Sequence, residues 1–183
     1  ELKKIIVQPY TFTLPYIHQN NKDYNYEKTF ENFNLKDKKI FLYPAQFWAH
    51  KNHKYIIDVA LDFKNNKIND VIFVFCGFDK GNLKYIKKKI EEKNLHNYFK
   101  IFNYLSDLEL ISLYLKCFAV LMPTYVGHSV IPMYEAFYFK KNVFFTKGLA
   151  DDNLVKFLTE IDINDFTSVR TKYFEILNNL EVN

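Results

Sequence analysis

Glycine is scarce in this sequence, with four residues in 183. A phosphate cradle built from glycine turns needs several of them within one short loop, because only bare backbone wraps closely around a pyrophosphate. The loop after the first predicted strand, Pro44 to Lys51, contains none. This argues against a dinucleotide-dependent oxidoreductase. Cysteine is scarcer still. Cys76 and Cys117 fall in or beside apolar strand segments and read as buried free thiols, which suits a reducing cytoplasm. No Cys–His spacing resembles a zinc site, so no metal is expected. A receiver-type signalling domain needs clustered aspartates at strand ends, yet the third predicted strand ends at Asn103 and no acidic pair follows the first. No apolar run reaches the roughly 20 residues that a membrane-crossing helix requires, and no signal peptide opens the chain. The charge excess is small as well. A net +4 favours an anionic ligand, is compatible with peripheral contact at a membrane surface, and is too weak to argue for nucleic acid. The runs Lys87-Lys88-Lys89 and Lys140-Lys141 read as solvated helix faces or ends.

What is abundant is apolar mass. Hydrophobic residues make up 49% and aromatics 19% of the chain, enough for one domain with a sizeable core. Residues 1–39 read as an entry segment: a short apolar strand or linker at Lys4 to Gln8, then Pro9 and Pro15, which keep the neighbouring backbone extended, then a polar surface loop from Asn20 to Lys39 with about one helical turn. Residues 40–183 read as the ordered domain. Ile40 to Tyr43, Val71 to Cys76, Phe99 to Phe102, Phe118 to Met122 and Val143 to Phe145 are the predicted strands. Between them lie amphipathic segments with Ile56, Val59, Ala60 and Phe63, then Leu83, Ile86 and Ile90, then Leu108, Ile111 and Leu115 on one face. Ser106 to Glu109 is a capping box. A helix is predicted near Asp152 to Phe157, and a last one from about Asp165 with Phe166, Val169, Tyr173, Ile176 and Leu180 in phase. Continuous apolar strands alternating with helices predict an α/β fold, a Rossmann-like parallel sheet with helices on both faces.

In such a sheet, ligands bind at the carboxyl ends of the strands. The stretch Pro123 to Phe137, PTYVGHSVIPMYEAF, follows the fourth strand there. Pro132 sits at a helix start, where its missing N–H costs little. Free backbone N–H groups at that start suit a phosphate, and Glu135, one turn inside, can accept from neutral hydroxyls. A nucleoside diphosphate sugar carries both kinds of group. Lys51, in the loop after the first strand, can reach a diphosphate as a point charge.

These two stretches together resemble the donor site of the retaining GT-B glycosyltransferases of family 4 (glycosyl transferases group 1), over about residues 40–158. Glu135, with Pro132 three residues before it, matches the second glutamate of that family's Glu-x7-Glu signature, while Gly127 stands at the place of the first. The Gln-Phe-Trp loop ending in His50-Lys51-Asn52 matches the family's loop with its diphosphate-binding lysine, and Gln46 stands where an arginine is usual. The resemblance implies that Glu135 holds the ribose hydroxyls and that Ser129, Val130 and Ile131 offer backbone N–H groups to the sugar and diphosphate. It implies a turn beside the donor at Gly77 and backbone contact to the base near Phe102 and Asn103. Two readings of His128 stand side by side: a donor assisting the leaving phosphate, or an exposed loop histidine. Trp48 reads as a packing residue at the loop base.

On this resemblance the chain, which begins at Glu1 rather than Met, corresponds to the C-terminal, donor-binding half of a two-halved enzyme. It would need no cofactor, take a UDP- or GDP-sugar, and transfer a hexose-type sugar with retention to a glycan or lipid-linked acceptor held by an N-terminal domain. A cytoplasmic location is expected, compatible with the inner face of the membrane, and the 183 residues alone are expected to be inactive. A non-catalytic α/β nucleotide-binding or protein-interaction module is the alternative.

Overall fold

The computed structural model describes residues 13–126 and 130–181. Six parallel strands form one sheet: β1 (Lys39–Pro44), β2 (Val71–Cys76), β3 (Phe99–Phe102), β4 (Ala119–Met122), β5 (Asn142–Thr146) and β6 (Thr159–Ile161), in the order β3-β2-β1-β4-β5-β6. All six residues of β2 and all four of β4 are buried, as a sheet covered on both faces demands. Leu42 pairs with Val74 on one side and Val120 on the other, so β1 is the central strand.

The connecting helices divide between the two faces. α3 (His53–Asn65) packs with α4 (Leu83–Glu92) and the long α8 (Thr167–Glu181). Ile56, Val59, Ala60 and Phe63 of α3 are buried as their spacing predicts. Phe63 meets Phe41 and Phe73 of the sheet edge-on and Tyr173 of α8 at a tilt, and this aromatic layer holds α8 in place. On the other face lie α5 (Asp107–Lys116) and α6 (Ile131–Tyr138). The capping box that starts α5 is present: Ser106 accepts from the Glu109 amide, and Glu109 accepts from the Ser106 amide at 2.8 Å. A short helix α7 (Asp152–Val155) precedes β6.

Two expectations need correction. The stretch Asn20 to Lys39 is not simply a surface loop, and the backbone at Pro15 is helical rather than extended, because residues 13–35 fold onto the core. They form α1 (Thr13–Asn20) and α2 (Tyr26–Glu31), which pack against α5 and bury Leu14, Phe33 and Leu35 in the core. Asn25 caps α2 by accepting from the Lys28 amide. The sixth strand is also absent from the sequence reading. Only one of its three residues is buried, so it carries little apolar signal. The strand or linker predicted at Lys4 to Gln8 lies outside the described residues.

Strand order reverses between β1 and β4, each of which leads to a helix on a different face. At such a reversal the two loops diverge and leave a crevice beyond the carboxyl ends of the strands. That crevice carries the candidate site.

Candidate nucleotide-binding site

The loop after β1 is pinned from below. Phe47 is fully buried and its amide donates to the Phe78 carbonyl at 3.0 Å, joining the loops after β1 and β2. This closeness explains Gly77: a Cβ there would lie 2.4 Å from the Ala45 carbonyl oxygen. The backbones touch, so any side chain must push the two loops apart. Gly77 therefore serves the backbone approach.

Beyond Phe47 the chain makes one 3-10 turn, Ala49–Lys51, and Asn52 takes the left-handed conformation (φ 53°) before α3 begins at His53. Tyr43 on β1 donates to the Lys51 carbonyl at 2.9 Å, and the His50 carbonyl accepts the Tyr125 amide at 3.0 Å. The loop after β5 joins the same network where Thr146 donates to the Thr124 carbonyl at 2.8 Å. Three strand-end loops are thus tied into one rigid floor, a condition for holding a ligand accurately.

Above that floor is a cleft of about 510 Å³, lined by Gln46, Trp48, His50, Lys51, Thr124, Ile131 and Pro132 among others. Lys51 is half-buried here, and loss of solvation lowers its pKa from the usual lysine value. No hydrogen bond or ion pair to its ammonium is present among the described residues. A half-buried cation without a partner is a place for an anion. Trp48 departs from expectation. The packing residue of this loop is Phe47, while Trp48 is 43% exposed on the cleft and its indole N–H donates to Gln46 Oε1 at 3.0 Å.

A second cleft, of about 230 Å³, opens beyond β2 and β3. It is lined by Gly77, Phe78, Asn103 and Tyr104, and shares Pro44, Ala45 and Gln46 with the first. Phe78 and Tyr104 are both exposed, with ring centroids 6.0 Å apart. Phe102 takes no part in the lining. Its ring packs on Phe33, just after α2, and its carbonyl accepts the Gly77 amide at 3.0 Å.

Ile131 and Pro132, at the start of α6, line the first cleft, and Ile131 is 42% exposed. Val130 is part-buried against the core and its carbonyl takes the amides of Met133 and Tyr134. Gly127, His128 and Ser129 lie outside the described residues. Glu135 lies one turn further along the helix and is 7% exposed. Its Oε2 accepts from the Tyr114 hydroxyl at 2.8 Å. Burial pushes the Glu135 carboxyl up to about 7, the nearby Asp107 charge adds to this, and the Tyr114 hydrogen bond opposes it.

One buried group carries no functional expectation from sequence. His53 is fully buried, its ring stacked on Phe47 (4.6 Å) and close to Tyr43 (4.9 Å) and Phe75 (5.0 Å). Neither ring nitrogen has a hydrogen-bond partner of full geometry among the described residues, and the Ala45 backbone is the polar group that approaches the ring. Burial drives its pKa down to about 3, with the Ala45 backbone opposing and the Lys51 charge assisting. Its phase with Ile56, Ile57 and Ala60 along α3 is the signal that marks it as a core residue. Tyr114 gives no local signal of a role, since its partner is 21 positions away in sequence.

The fold has many solved counterparts. The C-terminal domain of a group 1 glycosyl transferase (LpcC) from Francisella tularensis aligns with a TM-score of 0.68 at 16% identity, covering 84% of this chain and 83% of that one. A glycosyltransferase from Rickettsia africae gives 0.69 at 20% identity over 85% of this chain and 42% of its own. The Anabaena protein Alr3699/HepE, solved in complex with UDP, gives 0.66 at 16% identity over 82% and 43%. The chain therefore spans less than half the length of the Rickettsia and Anabaena proteins. No curated protein matches. The sheet order and covered faces are those of a GT-B glycosyltransferase domain. The family model for glycosyl transferases group 1 matches residues 25–150. It takes in β1 to β5 and both clefts, and so the chain belongs to the glycosyl transferases group 1 family.

Proposed function

We propose that this chain is the donor-binding, C-terminal half of a retaining glycosyltransferase. It takes a UDP- or GDP-activated hexose-type sugar and serves its transfer to a hydroxyl of a glycan or lipid-linked acceptor. The observation that carries this reading is the pair of clefts meeting at Gln46, one with an ammonium unpartnered among the described residues and the other flanked by exposed rings. The two ends of a nucleoside diphosphate differ in the same way: a concentrated charge and a flat aromatic base.

In this reading the diphosphate lies against Lys51 and the start of α6. The base enters the cleft of Gly77, Asn103 and Tyr104, and Glu135 accepts from the ribose hydroxyls. The protein's task is to neutralise the departing diphosphate with fixed positive groups, which is electrostatic catalysis by preorganisation. That the Anabaena protein was solved in complex with UDP supports a nucleotide as the ligand class. We assign no nucleophile within the chain. The acceptor belongs to the other half of such an enzyme, at the cytoplasmic face of a membrane, and the 183 residues alone bind donor without turning it over. Among the described residues no helix is long and apolar enough to cross a membrane.

The test is calorimetric titration with UDP, GDP and uridine. At least one diphosphate is expected to bind. A carboxylate acceptor is worth roughly 1.5–3 kcal/mol, so Glu135→Ala is expected to weaken binding about ten- to a hundredfold. A chain that binds neither diphosphate, or an alanine variant that binds as well as the parent, overturns the assignment. Absence of binding would favour the interaction-module alternative, and robust turnover by the chain alone would overturn the division of labour.

A further inference from the structure

Tyr114 is fully buried on α5, its ring stacked on Phe139 at 5.3 Å and 20°. Packing alone would be served as well by phenylalanine. The hydroxyl, however, reaches across to α6, where it lies 2.8 Å from Glu135 Oε2 and 3.4 Å from the Pro132 carbonyl oxygen. A buried phenol needs one acceptor, and the neutral carbonyl is within reach. The shorter contact goes to the carboxylate.

The groups acting on Glu135 are few. Among the described residues, Tyr114 and Asp107 act on it from α5 and Cys76 at the end of β2 feels its charge; no cation is in this set. Oε1 has no hydrogen bond among the described residues and is not one of the fully enclosed polar atoms. Among the described residues the carboxyl group is therefore held by one oxygen, with the other unpaired.

We propose that Tyr114 is a positioning residue of this site, its hydroxyl fixing Glu135 Oε2 so that Oε1 is left to accept from a ligand hydroxyl. The inference rests on the reading of Glu135 as the ribose acceptor. One hydrogen bond has two effects here. The carboxyl plane is set before the ligand arrives, which reduces the ordering cost of binding. The bond also favours the charged form, and the charged form is the better acceptor. Because burial holds Glu135 near neutrality, loss of Tyr114 acts through protonation as well as through geometry.

The experiment uses the full chain and Tyr114→Phe, which keeps the ring against Phe139. UDP and uridine affinities are measured by calorimetry from pH 6 to pH 9, and the Glu135 carboxyl is titrated by NMR with labelled glutamate. Melting temperature checks the fold. The variant is expected to bind both ligands about tenfold more weakly at neutral pH. Its affinity midpoint and its carboxyl titration should both move to higher pH, with partial recovery in alkali. Glu135→Gln is expected to give a profile without that midpoint. A Tyr114→Phe variant with the parent's affinity and pH profile overturns the proposal, as does a loss that is the same at every pH, which would mark Tyr114 as packing only. If the parent binds no nucleotide at any pH, the Glu135 assignment itself fails. If the parent binds and only the Tyr114 effect is missing, that assignment survives without this inference.

Discussion

Two buried titratable side chains flank the switch point of the sheet, and the protein treats them in opposite ways. His53, at the start of α3, is enclosed by Tyr43, Phe47 and Phe75 and given no hydrogen-bond partner of full geometry for either nitrogen among the described residues. Glu135, on α6, is given one side-chain hydrogen bond among the described residues and keeps its other oxygen unpaired there. An apolar cage forces a base to stay neutral, so His53 works as a flat ring that supports the loop carrying Lys51. A carboxyl left with a single donor is held near its ionisation point, where a ligand can tip it. Enclosure without a partner builds structure, and enclosure with half a partner builds a site.

The largest expected effect breaks the comparison on the His53 side. Its folded pKa, about 3, lies below the unfolded value of 6.5. The unfolded chain therefore binds the proton first, and stability is lost as pH falls from 6.5 toward 3. At about 1.4 kcal/mol per unit this amounts to about 5 kcal/mol at the acid end. Carboxylates titrate in the same window, so the informative measurement is a difference. His53→Leu is expected to flatten the acid limb of urea-unfolding stability relative to the parent. Two parallel acid limbs would mean that the imidazole finds water or a partner in solution.

On the Glu135 side the sign reverses. The folded pKa, about 7, lies above the unfolded 4.5, so the free protein is fully stable with respect to this group below pH 4.5 and loses stability as pH rises through 7. The loss is about 3 kcal/mol. Glu135→Gln is expected to remove that slope while leaving the acid limb attributed to His53 in place. The unliganded variant would then be more stable than the parent at pH 8 while binding nucleotide less well, the trade expected of a functional residue. A Gln variant that is less stable than the parent at every pH would make Glu135 a structural residue.

How far these features could be read from sequence depends on the range of the interaction. Strand runs such as Val71 to Cys76 announce two-sided burial by themselves, and the sheet is legible from them. The entry helices are not, because what holds them is aromatic contact between distant residues: His18 on Tyr138 and Phe139, Phe33 on Phe102. No local period records that. β6 is too short to show one. Lys51 and Gln46 can be placed at the cleft because a strand-end loop must lie there, whereas the choice between Phe47 and Trp48 as the inward residue turns on one peptide's orientation. The Tyr114–Glu135 contact joins two helices through an intervening strand, and only the assembled sheet brings them together.

The smallest expected effect concerns the ligand end of the His53 side. Lys51 carries a half-buried ammonium without a partner among the described residues, and burial has already lowered its pKa. A bound diphosphate would supply the missing counter-charge, stabilise the protonated form and reverse that shift. Lys51→Ala is expected to weaken UDP or GDP about tenfold, a loss of about 1.4 kcal/mol, and to leave uridine nearly unaffected. Glu135→Ala is expected to weaken uridine and UDP alike, because it acts on hydroxyls that both ligands share. The two variants therefore divide the nucleotide between the two sides of the switch point. If Lys51→Ala weakens uridine as much as UDP, the lysine is holding the loop rather than the phosphate, and the contrast between a structural His53 and a ligand-facing Lys51 two residues before it collapses.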